Sequence, residues 1–325
     1  LTKPIKYPST AQFRQVIRAM HDKLTFVGID EEGNIKRKVL PPEAYLIPYI
    51  GTVKLHGTNG SVVFHSEDEV VFQSKERVVT VGDDNNGFAA FMSRKDTAEL
   101  LSQVKYLCEV NDVEFQFPVE IAGEWAGRGI QKGVAITEVE PFFAIFRVAV
   151  GRDEATDTLN WLPPTFQFGI GLPDARIYSI LDFGYWMANI PFNEPELVQN
   201  DLAELTREVE NKCPAGKFFG VEGIGEGIVW SPKDPELSKI SGLWFKVKGD
   251  KHSVSKVKTL AAIDPERLAS MREFVEYAVT EARLEQGVSE VGLDQTDIGE
   301  FIGWINRDIN KEEGDVLEAS SMTMK

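Results

Sequence analysis

Apolar positions along this chain follow two rhythms that alternate several times. Between Thr10 and Lys23, Phe13, Val16, Ile17 and Met20 recur near helical spacing and predict a helix. From Ala44 to Val79 the pattern becomes short apolar runs divided by polar turns, which predicts strands. The runs are Tyr45 to Ile50, Val53 to Leu55, Ser61 to Phe64 and Val70 to Gln73; Gly57 to Gly60 and Ser66 to Glu69 supply turns. A helical stretch falls within Gly87 to Val110, and Pro195 to Asn211 reads as a helix that Pro214 follows. Further strands are expected at Val119 to Ala122, Phe142 to Val150, Gly227 to Trp230 and Leu243 to Val247.

Near Val254 the texture changes, and no strand pattern follows. Asp264-Pro265-Glu266 is a helix start, with Asp as N-cap and Pro in the first turn, leading into Leu268 to Leu284. A second start at Asp294 leads into Ile298, Phe301, Ile302 and Ile305, an apolar face at helical spacing. The fold class is therefore α+β, with a large domain over residues 1–250 and a small all-helical domain over 251–325. Both sizes are ordinary for domains.

Composition alters this picture little. Hydrophobic residues make up 42% of 325 and charged residues 26%, as in ordinary globular chains. The apolar stretches fall far short of a membrane span, and the first residues lack the pattern of a secretory signal. Cys108 and Cys213 stand far apart with no metal-ligand or disulfide spacing, so a reducing, cytoplasmic setting is the expectation. The net charge of −16 argues against a polynucleotide partner when taken alone. Its distribution argues otherwise: Lys246, Lys248, Lys251, His252, Lys256 and Lys258 form a basic strip.

Candidate chemistry centres on Lys54-Leu55-His56-Gly57-Thr58-Asn59, where a predicted strand enters a glycine-containing loop. Free lysine titrates near 10.4, so a nucleophilic lysine needs burial or neighbouring positive charge. Gly57 and Gly60 are expected to let the backbone approach a ligand closely. A plain hairpin with an exposed lysine would look the same in these six residues alone.

The hexapeptide resembles motif I of the covalent nucleotidyltransferases, which comprise DNA ligases, RNA ligases and mRNA-capping enzymes. Its His56 resembles the RNA-ligase branch typified by the second RNA ligase of phage T4. Other elements follow in the family's order. Gln73-Ser74-Lys75-Glu76-Arg77 resembles motif Ia, and Asp84-Asn85-Asn86-Gly87-Phe88-Ala89 a stretch frequent in RNA-ligase relatives. Gly123-Glu124-Trp125-Ala126-Gly127 is similar to the family's Gly-Glu element, and Phe142 to Val148 to motif III. Glu226-Gly227-Ile228-Val229 resembles motif IV and Phe245-Lys246-Val247-Lys248 motif V. The chain departs from the usual pattern at Arg147, where relatives often carry Asp, at Lys75, where Arg is usual, and at Ser231-Pro232 before Lys233.

The resemblance implies a nucleotidyltransferase domain of antiparallel sheets with helices, of the ATP-grasp-like ligase kind. It implies ATP and Mg²⁺ (or Mn²⁺), AMP bound covalently to Lys54, and transfer of that AMP to RNA ends or a nicked RNA-containing duplex. Lys246 and Lys248, alternating on one strand face, would hold phosphate oxygens and depress the Lys54 pKa. Glu226 and Glu124 are the metal candidates, with Glu124 also able to bind ribose. Phe146 would stack on adenine, His56 and Asn59 would lie by the phosphates, and Lys75 or Arg77 would make the motif Ia contact. Lys251, Lys256 and Lys258 are expected at RNA. Every nucleotide-touching motif lies before residue 250 in the resemblance, leaving the helical part to the polynucleotide.

Two other readings stay open. One is a DNA ligase or capping guanylyltransferase of the same superfamily; the other is a non-catalytic nucleic-acid-binding relative. Labelling by ATP, by GTP or by neither separates the three. No oligomeric state is legible, and a monomer is the simplest expectation.

Overall fold

The computed structural model describes residues 4–153, 155–249, 251–252, 271–291 and 298–319. The chain opens with β1 (Ala11–Gln12) and α1 (Phe13–Thr25), followed by the exposed hairpin β2 (Phe26–Ile29) and β3 (Ile35–Arg37). Next come β4 (Leu46–Lys54), β5 (Thr58–Phe64), β6 (Val70–Ser74) and β7 (Val78–Val79). Two helices, α2 (Phe88–Met92) and α3 (Thr97–Val110), precede β8 (Val119–Ala126), β9 (Phe142–Arg152), β10 (Leu159–Trp161), β11 (Ile177–Ser179) and β12 (Tyr185–Pro191). Then follow α4 (Glu196–Asn211), α5 (Pro214–Phe218), β13 (Gly227–Pro232), α6 (Pro235–Ser238) and β14 (Phe245–Lys248). The last described helices are α7 (Met271–Ala278), α8 (Glu281–Val291) and α9 (Ile298–Ala319).

Two sheets organise the chain between β1 and β14. One runs β1-β14-β13-β4-β12; the other runs β10-β9-β8-β5-β6-β7, with β11 parallel to β9. Apart from β11 and the β1–β14 pair, the ladders are antiparallel. β4, an interior strand of the first sheet, ends at Lys54, and β5 starts in the second sheet at Thr58. The chain therefore crosses from sheet to sheet within three residues, and the candidate nucleophile lies at that crossing.

Local sequence explains these elements. In α1 the residues Phe13, Val16 and Met20 turn inward, and Gln12 and Gln15 cap one another at its start. β4 buries residues on both faces, as an interior strand must. The two expected runs, Tyr45 to Ile50 and Val53 to Leu55, are thus one nine-residue strand. Gly51 divides the runs in sequence without ending the strand: a Cβ there would meet the Trp230 ring at 2.9 Å.

The helical part has its own core of Phe274, Tyr277, Ala278, Ile305, Ile309, Val316 and Leu317. The expected helix over Leu268 to Leu284 is divided at Val279–Thr280, and its start at Asp264, like that at Asp294, lies outside the described residues. The expected apolar face of α9 is corrected too. Ile305 is 8% exposed, but Ile298 and Ile302 are each 53% exposed, because the packed ridge runs through Phe301, Ile305, Ile309 and Val316.

Candidate active site

Strand register builds the site. Lys54, Gly227 and Lys248 are direct cross-strand partners on β4, β13 and β14, and Thr52, Val229 and Lys246 form the next row on that face. Glu226, just before β13, is 3% exposed and sits among the lysines. Its Oε2 accepts from Lys54 Nζ at 2.7 Å and lies 3.5 Å from His56 Nδ1, while Lys248 Nζ is 3.3 Å from Oε1. Only glycine fits at Gly227, where φ is +156° and a Cβ would lie 2.1 Å from the Val247 carbonyl.

The second sheet closes the other side. Glu124 on β8 pairs with Asn59 on β5, and its Oε1 accepts from the Gly57 amide at 2.9 Å. Gly57 and Gly60 permit close approach to the chain's own groups and not, as expected, to a ligand. Added Cβ atoms would lie 2.3 Å from the Trp125 carbonyl and 2.7 Å from the Phe88 ring. The Asp84-to-Ala89 stretch serves this loop as a brace. Asp84 accepts from the amides of Ala89 and Ala90 at the start of α2, Asn85 Nδ2 bonds Thr58 Oγ1 at 3.0 Å, and Trp125 Nε1 bonds the Asn86 carbonyl at 2.8 Å.

Between the sheets lies a cavity of about 220 Å³. Its walls bring together Lys54, Asn59, Lys75, Glu124, Phe146 and Lys246 from the predicted set. Asn59 Oδ1 is buried with no hydrogen-bond partner among the described residues, an acceptor aimed at something the protein does not supply. Phe146 packs edge-on against Tyr7, with centroids 5.2 Å apart. Arg77 does not line the cavity; it pairs with Asp83 at 2.9 Å and bonds the Asp84 carbonyl, so Lys75 is the motif Ia side chain at the cavity. The basic strip is divided: Lys246 lines the cavity, Lys248 pairs with the buried Glu226 without lining it, Lys251 is exposed, and Lys256 and Lys258 lie outside the described residues.

Charge balance in the site corrects one expectation. Burial opposes the charge on Lys54, but Glu226 and Glu124 outweigh it, and the Lys54 pKa is raised, not depressed. Lys248 is lowered instead, by burial and then by Lys54 and Lys246, against the pull of Glu226, and Lys75 is lowered as well. Glu124 is pushed up to about 7 by burial despite Lys54. Burial also opposes the charge on Glu226, yet Lys54 and Lys248 hold it well below the usual carboxylate range.

Sequence reasoning missed Tyr7, Thr52, Arg147 and Lys311 among the lining residues. Arg147 is buried, bonds Ser231 Oγ, and lies 4.2 Å from the Trp244 ring centroid. The motif III departure was its visible signal. Lys311 belongs to α9, so the cavity wall includes a residue beyond 250, against expectation. Beside it, Glu312 bonds Lys246.

No cluster of three or more His, Cys, Asp or Glu side chains could hold a metal among the described residues. Both oxygens of Glu226 face ammonium groups. A carboxylate or two plus substrate phosphates is nonetheless the kind of shell Mg²⁺ accepts, and Glu124 and Glu226 fit that partial shell.

The sequence profile of the RNA ligase family matches residues 47–248. The chain belongs to the RNA ligase family. The match begins in β4 and ends on Lys248, spanning both sheets. Among solved structures, the chain is similar to a Naegleria gruberi RNA ligase variant with ATP and Mn at 12% identity and a TM-score of 0.44. A second variant of that ligase with ATP and Mn gives 13% and 0.45, and a third with AMP and Mn gives 13% and 0.44. In each case 76% of this chain is covered, and the chain spans 56% of the length of the protein it matches. No curated protein matches this sequence significantly.

Proposed function

We propose that this RNA ligase family member joins RNA 3′-hydroxyl and 5′-phosphate ends using ATP, through AMP bound covalently to Lys54. The observation that carries the reading is Lys54 itself, ending β4 at the cavity wall with its amine 2.7 Å from the buried Glu226. In the first step Lys54 gives up its ammonium proton to solvent and the free amine attacks the α-phosphorus of ATP. The N–P bond forms as the bond to the β-phosphate oxygen breaks, the nitrogen sheds a second proton to solvent, and pyrophosphate leaves. AMP then passes to a 5′-phosphate, and a 3′-hydroxyl displaces it to seal the strand.

Phosphoryl transfer asks the protein chiefly for positioning and charge. Glu226 aims Lys54 and accepts its hydrogen bond. Lys248 and Lys246 supply positive charge to phosphate oxygens, His56 and Asn59 lie at the same loop, and Phe146 offers a ring to the adenine. Mg²⁺ or Mn²⁺, held by Glu124 or Glu226 with the phosphates, would supply further charge neutralisation. Lys251, exposed beside the site, is proposed for the RNA backbone together with Lys256 and Lys258.

The test is mass spectrometry after incubation with ATP and Mg²⁺. AMP is expected on the Lys54 peptide and is expected to vanish in Lys54→Ala with the fold retained. An adduct on another lysine, labelling from GTP instead, or no label at all would each overturn the reading.

A further inference from the structure

Helix α9 delivers a lysine to the cavity, and its anchoring explains how. Glu312 bonds Lys246 and accepts from Gln12 Nε2 at 3.2 Å. Glu313 accepts from Arg14 Nη2 at 2.8 Å, and Arg14 also bonds the Glu312 carbonyl. Side-chain exposure is 18% and 10% for the Lys246–Glu312 pair and 8% and 0% for Arg14–Glu313. Two adjacent carboxylates thus clamp α9 onto β14 and α1. The preceding residue, Lys311, lines the cavity with Lys54, Lys75 and Lys246.

Its neighbour there is Lys75, just past β6. Burial and then the Lys311 charge lower the Lys75 pKa, with Lys246 adding to the effect and the exposed Glu76, which pairs with Lys6, opposing it. The other lysines that line the cavity have carboxylates: Lys54 has Glu226, which it shares with Lys248 on the same sheet, and Lys246 has Glu312. Lys75 and Lys311 form no ion pair among the described residues. Two adjoining ammonium groups with no ion-paired carboxylate among the described residues cost free energy at rest, and an anion between them relieves it. Lys75 also lines the same cavity as Lys246 and feels its charge, and Lys246 is one strand alternation, roughly 7 Å, from Lys248. The positive charges therefore continue from the Lys54–Lys248 end of the cleft, through Lys246, to the Lys75–Lys311 pair.

We propose that Lys311, with Lys75, binds the terminal phosphates of the nucleotide, so that the C-terminal helix supplies a ligand for the pyrophosphate leaving group. The proposal rests on the reading of this cavity as the lysyl-AMP site. It gives α9 a part in the first chemical step, although the family match ends at residue 248. A strand 5′-phosphate has similar chemistry, and the experiment separates the two sources.

The full-length chain is compared with Lys311→Ala and Lys311→Arg. Inorganic pyrophosphate and AMP binding are measured by calorimetry, and Lys54 labelling is followed against ATP concentration. Lys311→Ala is expected to weaken pyrophosphate binding at least tenfold and to raise the ATP needed for half-maximal labelling similarly. AMP binding should not change, and Lys311→Arg should restore most of the loss. Wild-type pyrophosphate binding in Lys311→Ala would overturn the proposal. So would normal labelling combined with poor AMP transfer to a 5′-phosphorylated RNA, which would assign the pair to the strand. A wild-type chain that binds pyrophosphate through Lys311 but never labels Lys54 would overturn the ligase reading and uphold the anion site.

Discussion

At rest Lys54 is an ammonium ion held by Glu226, and that carboxylate also holds Lys248 and faces His56. The contact aims the amine but keeps its proton. Replacing Glu226 by Gln removes the chief counter-charge and leaves burial, which favours the neutral amine. The Lys54 titration is therefore expected to move to lower pH in Glu226→Gln, read as the pH dependence of reductive methylation at Lys54 without ATP. An unchanged midpoint would show that another group keeps the proton. Glu120 makes a prediction away from the chemistry. It is fully buried on β8, accepts from Ser61 Oγ, and has its second oxygen unpartnered among the described residues. Burial raises its pKa to about 7, against the hydrogen bond from Ser61. The folded state then keeps a proton that the unfolded chain loses near its ordinary value, so stability falls as pH rises from about 4.5 to 7. The loss is on the order of 3 kcal/mol from a shift of about 2.5 units. Glu120→Gln, which cannot ionise, should lack this loss when urea midpoints are compared at pH 5 and pH 8; equal losses in both proteins would dismiss Glu120 as the cause.

The loop from Lys54 to Thr58 is the element on which the site turns, and Gly57 is its tightest point. A methyl group 2.3 Å from the Trp125 carbonyl must push the loop off β8, breaking the Gly57–Glu124 hydrogen bond and displacing Lys54. Gly57→Ala should slow Lys54 labelling at least tenfold, since small misplacements of a reacting group are costly. Gly82→Ala, where a Cβ meets nothing within 4 Å, should label at the wild-type rate. Much of this element was legible beforehand, because a strand pattern ending in Lys-x-His-Gly-x-Asn specifies a junction. The alternation Lys246-x-Lys248 placed both lysines on one strand face, as β14 has them. What stayed hidden was charge compensation. Nothing at Lys54 announces Glu226, 172 residues away, and nothing at Lys246 announces Glu312. Strand β12 was also hidden: its half-exposed residues and terminal Pro191 lack the strict alternation that marks a half-buried strand.

At the scale of the molecule, two sheets with separate apolar cores meet at a cleft, and both are needed for it. The first sheet joins distant parts of the chain. β4 is hydrogen-bonded on one side to β12 and on the other to β13, which pairs with β14, while β1 adds to β14 in parallel. Such non-local pairing makes for slow assembly, because long loops must close before contacts reward them. It also has a meaning for a chain emerging from a ribosome. Lys54 is made early, but Glu226 and Lys248 appear only when most of the protein has been synthesised. A nascent chain halted after Ile224 holds the nucleophile and neither partner. Stalled chains of that length are expected to remain unlabelled by ATP, while chains released at full length take up AMP; labelling of the short chains would show that Lys54 acts without the strand beside it. Covalent AMP would then mark finished molecules, and a cell making this protein would load none of its unfinished copies.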